Sequence, residues 1–431
     1  MAVLDGRARP VTDGAPAAVP VDLSRGPVTR SSVIRVGSAT VISAVCGYAV
    51  LYLAARDLEP EGFSVFAVFW GAFGLLAGAA NGLLQESTRE VRQARHAPPS
   101  DGPRIHPMWV AALVGVVSAA AVAGSAALWS GHVFVDAQWL SVGLLSAGIA
   151  GFCMHATLLG VLAGVDGWSQ YGSLIVGDAV GRVAIATATF LIGWGLVGYL
   201  WATVAGSVAW LLLLLASPTT RAAARLLTPG TLFTFLRGAS HSIAAAGASA
   251  ILIMGFPVLL KATSADLGAA GGVVILAVTL TRAPLLVPLT AMQGNLIAHF
   301  VDQRERRLRS LVAPVAALAV LGAAAVLFAG LLGPWLLRTA FGPAYQAGGA
   351  LLAWTTTAAV AIALLTLTGA ATVAAAMHRA YAAGWISATL ASTLLLLLPL
   401  ALETRTVVAL LCGPLVGIVV HLVALARVPA P

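Results

Sequence analysis

From Val273 to Phe300 the chain carries one formal charge, Arg282, in a run otherwise broken only by a few polar residues such as Gln293 and Asn295. A run that long and that apolar is a membrane span. A cation near its middle costs about 2.5–3.5 kcal/mol on insertion scales. Such a residue normally faces a water-filled cavity or binds something anionic.

The same pattern fills the rest of the chain. Hydrophobic residues make up 59% and charged residues 9% of the 431 positions. Soluble domains carry roughly 25% charged residues, so hydrocarbon is the main solvent here. Apolar runs between charges and turn residues predict about twelve helices. Their cores are Val36–Ala55, Phe63–Leu84, Met108–Leu128, Leu140–Leu162, Ser173–Ile192, Leu196–Ala216, Ile243–Leu260, Gly271–His299, Leu311–Leu337, Leu351–Ala376, Tyr381–Leu400 and Val407–Leu425. Tryptophans cluster at their ends, Trp109, Trp139, Trp201, Trp335 and Trp385 among them, as an interfacial belt requires.

The basic loops alternate along the chain. Arg89, Arg92, Arg95 and Arg104 follow the second span; Arg221, Arg225 and Arg237 follow the sixth; Arg304, Arg306, Arg307 and Arg309 follow the eighth. The opposite loops carry only Arg56, Lys261, Arg338 and Arg405. This positive-inside bias predicts an even number of spans with both termini in the cytosol. A net charge of +8 in a soluble chain would raise nucleic acid as a partner; here the cations sit between spans, where they set topology and meet anionic lipid head groups. Residues 1–30 are polar, rich in Pro and Gly, and read as a disordered cytosolic tail. The layout of loops repeats at an offset of roughly 210 residues, which predicts two parallel six-helix units, 31–220 and 221–431.

Several intramembrane polar residues are candidates for a site. Arg282 reads as a cavity cation. The alternative is a structural cation that satisfies the carbonyl freed by Pro284. Asp178 and Arg182 stand i, i+4 on the fifth span, acid first, the favourable order for a pair. They form a self-neutralising salt bridge, or Arg182 faces the cavity with Asp178 tuning it or carrying a proton. Arg35 opens the first span as a third cavity cation or an interfacial anchor. Asn81 and Gln85 on the second span, and Gln293 and Asn295 on the eighth, can bond sugar hydroxyls or neighbouring helices. His155 reads as a hydrogen-bonded core residue. Cys46, Cys153 and Cys412 form no CxxC pair and read as small core hydrophobes, with no disulfide framework or metal site. The glycines of Gly71–Gly82 permit close helix approach.

Two loops carry a resemblance. Leu336–Trp354 reads LLRTAFGPAYQAGGALLAW, and Phe341-Gly342-Pro343-Ala344-Tyr345 turns one span into the next, with Tyr345 placed as an interfacial anchor. It resembles the loop between spans nine and ten of polysaccharide-type flippases. Leu53–Phe63, LAARDLEPEGF, resembles their first loop, although Pro60-Glu61 replaces the usual residues before Gly62. Over Ser31 to Val428 the chain is similar to the multidrug/oligosaccharidyl-lipid/polysaccharide (MOP) flippase superfamily, nearest to the Wzx-type exporters. The resemblance implies an all-α polytopic protein with two six-helix bundles in a V around a central cavity. It implies a flippase that moves a polyprenyl-diphosphate-linked oligosaccharide from the inner to the outer leaflet of the bacterial plasma membrane by alternating access. Arginines such as Arg282 would hold the diphosphate, because guanidinium stays charged and presents forked donors. Cell-envelope glycosyltransferases are the partners such cargo implies, and no cofactor is expected.

Other functions fit less well. A drug/cation antiporter of the same fold calls for carboxylates on spans one, seven or ten, and those cores contain none. A membrane glycosyltransferase or polymerase calls for larger external segments, and no Ser/His/Asp set, metal cluster or phosphate-cradling loop is present. A non-transporting scaffold stays open at this point.

Overall fold

A computed structural model describes residues 30–96, 102–134, 136–303 and 307–427. The expected tail 1–30 lies outside the described residues save Arg30. In chain order the elements are α1 (Arg30–His96), β1 (Arg104–Ile105), α2 (Pro107–Val133), α3 (Gln138–Gly164), α4 (Trp168–Ile192), α5 (Gly195–Ala205), α6 (Ala209–Ala216) and α7 (Pro218–Ala224). There follow β2 (Thr228–Pro229), α8 (Leu232–Ile253), α9 (Phe256–Ala262), α10 (Gly268–Ala291), α11 (Gln293–Asp302), α12 (Arg307–Ser310), α13 (Val312–Phe341), α14 (Gly349–Ala374), α15 (His378–Leu396) and α16 (Leu402–Arg427).

Among the described residues, 9 helices are long and apolar enough to cross a membrane, or 10 with the bent pair α8–α9 taken as one span. The first of these, 62 residues long, would measure about 90 Å if straight, three times the hydrocarbon thickness. It is two spans. Glu59 leaves helical geometry at φ 54°, ψ 174°, and Pro60 cannot donate to the preceding turn. Both ends of α1 then return to one place. A Cβ on Gly172 would lie 3.9 Å from the Arg35 carbonyl, and one on Gly164 would lie 2.6 Å from Val91. Counting α1 twice and adding α15, which packs along α16, gives twelve crossings, as expected. The chain is an all-α polytopic membrane protein.

Packing explains which helices are central. In α3 and α14 67% of the most apolar stretch is buried, against 6% in α13, so α3 and α14 sit inside and α13 faces lipid. α1 packs on α3, α4 and α5, while α14 packs on α10, α13 and α16; α1 also meets α8, α9 and α10. The second arm of α1 seats α8 through its glycines: a Cβ on Gly82 would lie 2.3 Å from the Ile243 nitrogen. Those glycines serve close approach. On the face that bears the basic loops, β1 pairs antiparallel with β2, Arg104 opposite Pro229, tying the loop after the second span to the chain entering α8. Arg95 pairs with Asp166 at 2.7 Å on the same face.

Three local expectations change. The sixth span is interrupted by a 3₁₀ turn at Gly206–Val208. Trp385 is not in the belt but 1% exposed, packed against Tyr381, whereas Trp109, Trp139 and Trp335 are exposed as a belt requires. Cys153 is buried as a core hydrophobe, but Cys412 is exposed on α16.

Candidate functional site

Hydropathy predicts the seventh span as one run, Ile243–Leu260. It is broken. α8 and α9 meet at an angle of 67° across Met254-Gly255. Pro257, in the first turn of α9, has no N–H, so the Ile253 carbonyl four residues back has no helical donor. The Gly255 N–H is taken by the Ala250 carbonyl five residues back, which closes the end of α8. Open carbonyls at a helix C-terminus inside a membrane need a donor, and a cation suits the negative end of the helix dipole.

Arg282 supplies it. Its Nη1 donates to the Ile253 carbonyl at 3.1 Å and more weakly to that of Leu252 at 3.5 Å. The guanidinium lies over the Phe256 ring, 5.3 Å from its centroid, a cation–π contact worth up to about 2 kcal/mol when desolvated. Arg282 is 8% exposed, and its Nη2 is buried with no hydrogen-bond partner. No carboxylate pairs with it among the described residues. Tyr48, on the first arm of α1, lies close enough to interact with it electrostatically. The carbonyls it satisfies belong to α8, not to its own helix beside Pro284. One side of the guanidinium is therefore a structural cap and the other an unused donor at mid-membrane depth.

Asp178, Arg182, Arg35 and Asn81 do not gather there. Asp178 and Arg182 form the expected intrahelical ion pair, with Nη2 2.9 Å and Nε 3.1 Å from Oδ1. The pair packs against Gly206 of the 3₁₀ turn, where a Cβ would collide with the Asp178 Oδ1, so a larger residue there would have to push the pair aside. Arg182 also lies 5.4 Å from the Phe73 ring, and the buried His155, stacked on Phe152, is a near neighbour. These contacts all come from the N-terminal half. The Nδ1 of His155 has no partner, so the hydrogen bond expected of a core histidine is missing at that atom. Arg35 is exposed at the start of α1, thirteen residues or about 20 Å along the helix from Tyr48. Asn81 is half-buried beside Gly82, about 10 Å along the second arm from Gly74, which faces Met254 at the break. The side chains of Gln293 and Asn295 lie outside the described residues.

Sequence reasoning missed the break, its Phe256 floor and Tyr48. The signal was present in Gly255-Phe256-Pro257, a helix-breaking triplet inside an apolar run. It also misplaced Tyr345. That residue is 1% exposed, and its hydroxyl donates to the Ala55 carbonyl at 2.9 Å. Phe63 packs edge-on against it and Tyr52 edge-on against Phe341. Burial pushes the Tyr345 phenol up, and the Glu59 carboxylate adds to the rise. The two loops singled out by the sequence thus lock onto each other on the face opposite the basic loops. Beside them a cavity of about 670 Å³ is lined by Glu59, Glu61, Asp136, Lys261 and Asp266. No metal-binding cluster of His, Cys, Asp or Glu occurs among the described residues.

No established family model matches the chain. It is 69% identical to "Uncharacterized protein Rv3630" of Mycobacterium tuberculosis over 94% of both chains. It is 66% identical to "Uncharacterized protein Rv1510" of the same species, over 98% of this chain and 97% of the relative. Among solved structures, the inward-facing form of a multidrug resistance MATE transporter of the MOP superfamily superposes with a TM-score of 0.72 at 16% identity, covering 91% of this chain and 98% of that one. An outward-facing form of such a transporter gives 0.64 at 16% identity, covering 92% and 95%. A MOP superfamily transporter from Pyrococcus furiosus gives 0.63 at 17% identity, covering 96% and 99%. Identity of this order across nearly the whole chain means that the protein belongs to the family of mycobacterial proteins that includes Rv3630 and Rv1510, and its fold is that of the MATE transporters of the MOP superfamily.

Proposed function

We propose that this protein is a transporter that moves an anionic, lipid-linked saccharide across the plasma membrane by alternating access of two six-helix units, 31–220 and 221–431. Its basic loops and both termini face the cytosol, following the positive-inside bias. The observation that carries the reading is the unused Nη2 of Arg282: a buried, desolvated cation at mid-depth with no carboxylate partner among the described residues. Such a donor favours an anion and disfavours the cationic drugs that membrane carboxylates would attract. In the P. furiosus transporter a binding pocket of reverse polarity suggests a different function for that protein, so this fold accommodates pockets of more than one polarity.

The resting geometry supports the cycle. The better superposition on an inward-facing form, and the Tyr345–Ala55 lock on the far face, fit a state closed outside. Cargo built by envelope glycosyltransferases on the cytosolic leaflet would enter from that side. The test is transport by purified protein in proteoliposomes loaded with a fluorescent polyprenyl-phosphate sugar. Accessibility of the label to a membrane-impermeant quencher should rise faster than in empty vesicles. Identical kinetics with and without protein would reject the reading.

A further inference from the structure

The charge at mid-depth limits how much negative charge the cargo brings. Among the described residues, three formal charges sit deep in the spans. Asp178 and Arg182 neutralise each other, their charged atoms 2.9 Å apart. Arg282 is the third, and among the described residues it stands without a counter-charge. The other cations beside the expected spans sit near helix ends: Arg35 in the second turn of α1, Lys261 in the last turn of α9, Arg338 in the last turn of α13 and Arg405 in the first turn of α16. Arg405 is already engaged by the Thr263 carbonyl and the Ser264 hydroxyl. Half of the Arg282 guanidinium is committed as well, to the carbonyls of the broken span.

One positive charge with one free edge balances one negative charge. A second would remain uncompensated in a low-dielectric setting, where an unpaired ion is heavily penalised. Resting on the proposed function above, we infer that the cargo is joined to its lipid through a single phosphodiester: a polyprenyl-monophosphate-linked saccharide rather than the diphosphate that the family resemblance implied. The phosphate meets the Nη2 edge of Arg282, and Phe256 and the α8 carbonyls hold that edge in one orientation.

The experiment uses the intact protein in proteoliposomes. One arm carries a labelled hexose on a short polyprenol through one phosphate, and the second carries the same hexose and polyprenol through two. A third carries the water-soluble hexose phosphate. The monophosphate lipid should cross about tenfold faster or more, the ratio equivalent to 1.4 kcal/mol, and Arg282→Gln should erase the preference. Equal rates, or faster crossing of the diphosphate, would overturn the inference and leave the transport proposal standing. Crossing of neither lipid would overturn both. Crossing of the soluble sugar phosphate alone would overturn the lipid carrier.

Discussion

Arg282→Ala should abolish or nearly abolish transport in proteoliposomes while the protein still inserts. The loss has two parts. A charge-assisted contact to the cargo phosphate disappears, a deficit on the order of 1.5–3 kcal/mol, or roughly 10- to 150-fold in rate if the contact is made at the rate-limiting step. The Ile253 and Leu252 carbonyls also lose their donor, so the break in the seventh span relaxes. Two further variants separate these parts. Arg282→Lys keeps the charge but loses the fork, and should retain a minor share of the rate. Arg282→Gln keeps a donor for the carbonyls but loses the charge. Its thermal stability should exceed that of the alanine variant, and its transport should not. Wild-type rates in the alanine variant would leave Arg282 as a structural cap alone.

The second large effect concerns the Asp178–Arg182 pair. Either partner removed alone leaves a lone charge in the helix bundle, a penalty of about 3 kcal/mol, the low end for a buried pair because both side chains are half-buried. Asp178→Asn and Arg182→Met should each lower the melting temperature sharply. The double variant should recover most of the loss, because two neutral side chains need no compensation beside Gly206 and Phe73. A double-mutant cycle on purified protein measures the difference. A double variant as unstable as the single ones would remove self-neutralisation as the reason for the pair. One that is stable but inactive would move the pair into the transport cycle.

Much of this molecule was legible in the sequence because hydrocarbon imposes simple rules. A helix must satisfy its own backbone, so apolar length alone marked the crossings. The spacing of Asp178 and Arg182 fixed their pairing because four residues is one helical turn. What escaped was long-range or averaged away. A hydropathy reading smooths over Gly255 and Pro257, because neither changes the mean of a run that is apolar on both sides. The partner of Arg282 lies 29 residues away on another helix, and the sequence offered the nearer Pro284 instead. Tyr345 resembled an interfacial anchor because a tyrosine in a short loop between spans usually is one. Its burial depends on the kink at Glu59, 286 residues earlier, which brings Ala55 and Phe63 beneath it.

A phosphate held by the free edge of Arg282 is a contact with a measurable distance. Solid-state NMR on the protein carrying ¹⁵N-arginine, in bilayers of a phosphorus-free glycolipid with a bound polyprenyl-phosphate sugar, measures it directly. The expected ³¹P–¹⁵N separation is about 4 Å, as an N–H···O contact of roughly 2.7–2.9 Å to a phosphate oxygen requires. The coupling should vanish in Arg282→Lys, whose ammonium carries no label. A protein that transports its cargo with no ³¹P–¹⁵N coupling, or with a coupling that survives the lysine substitution, would contradict it.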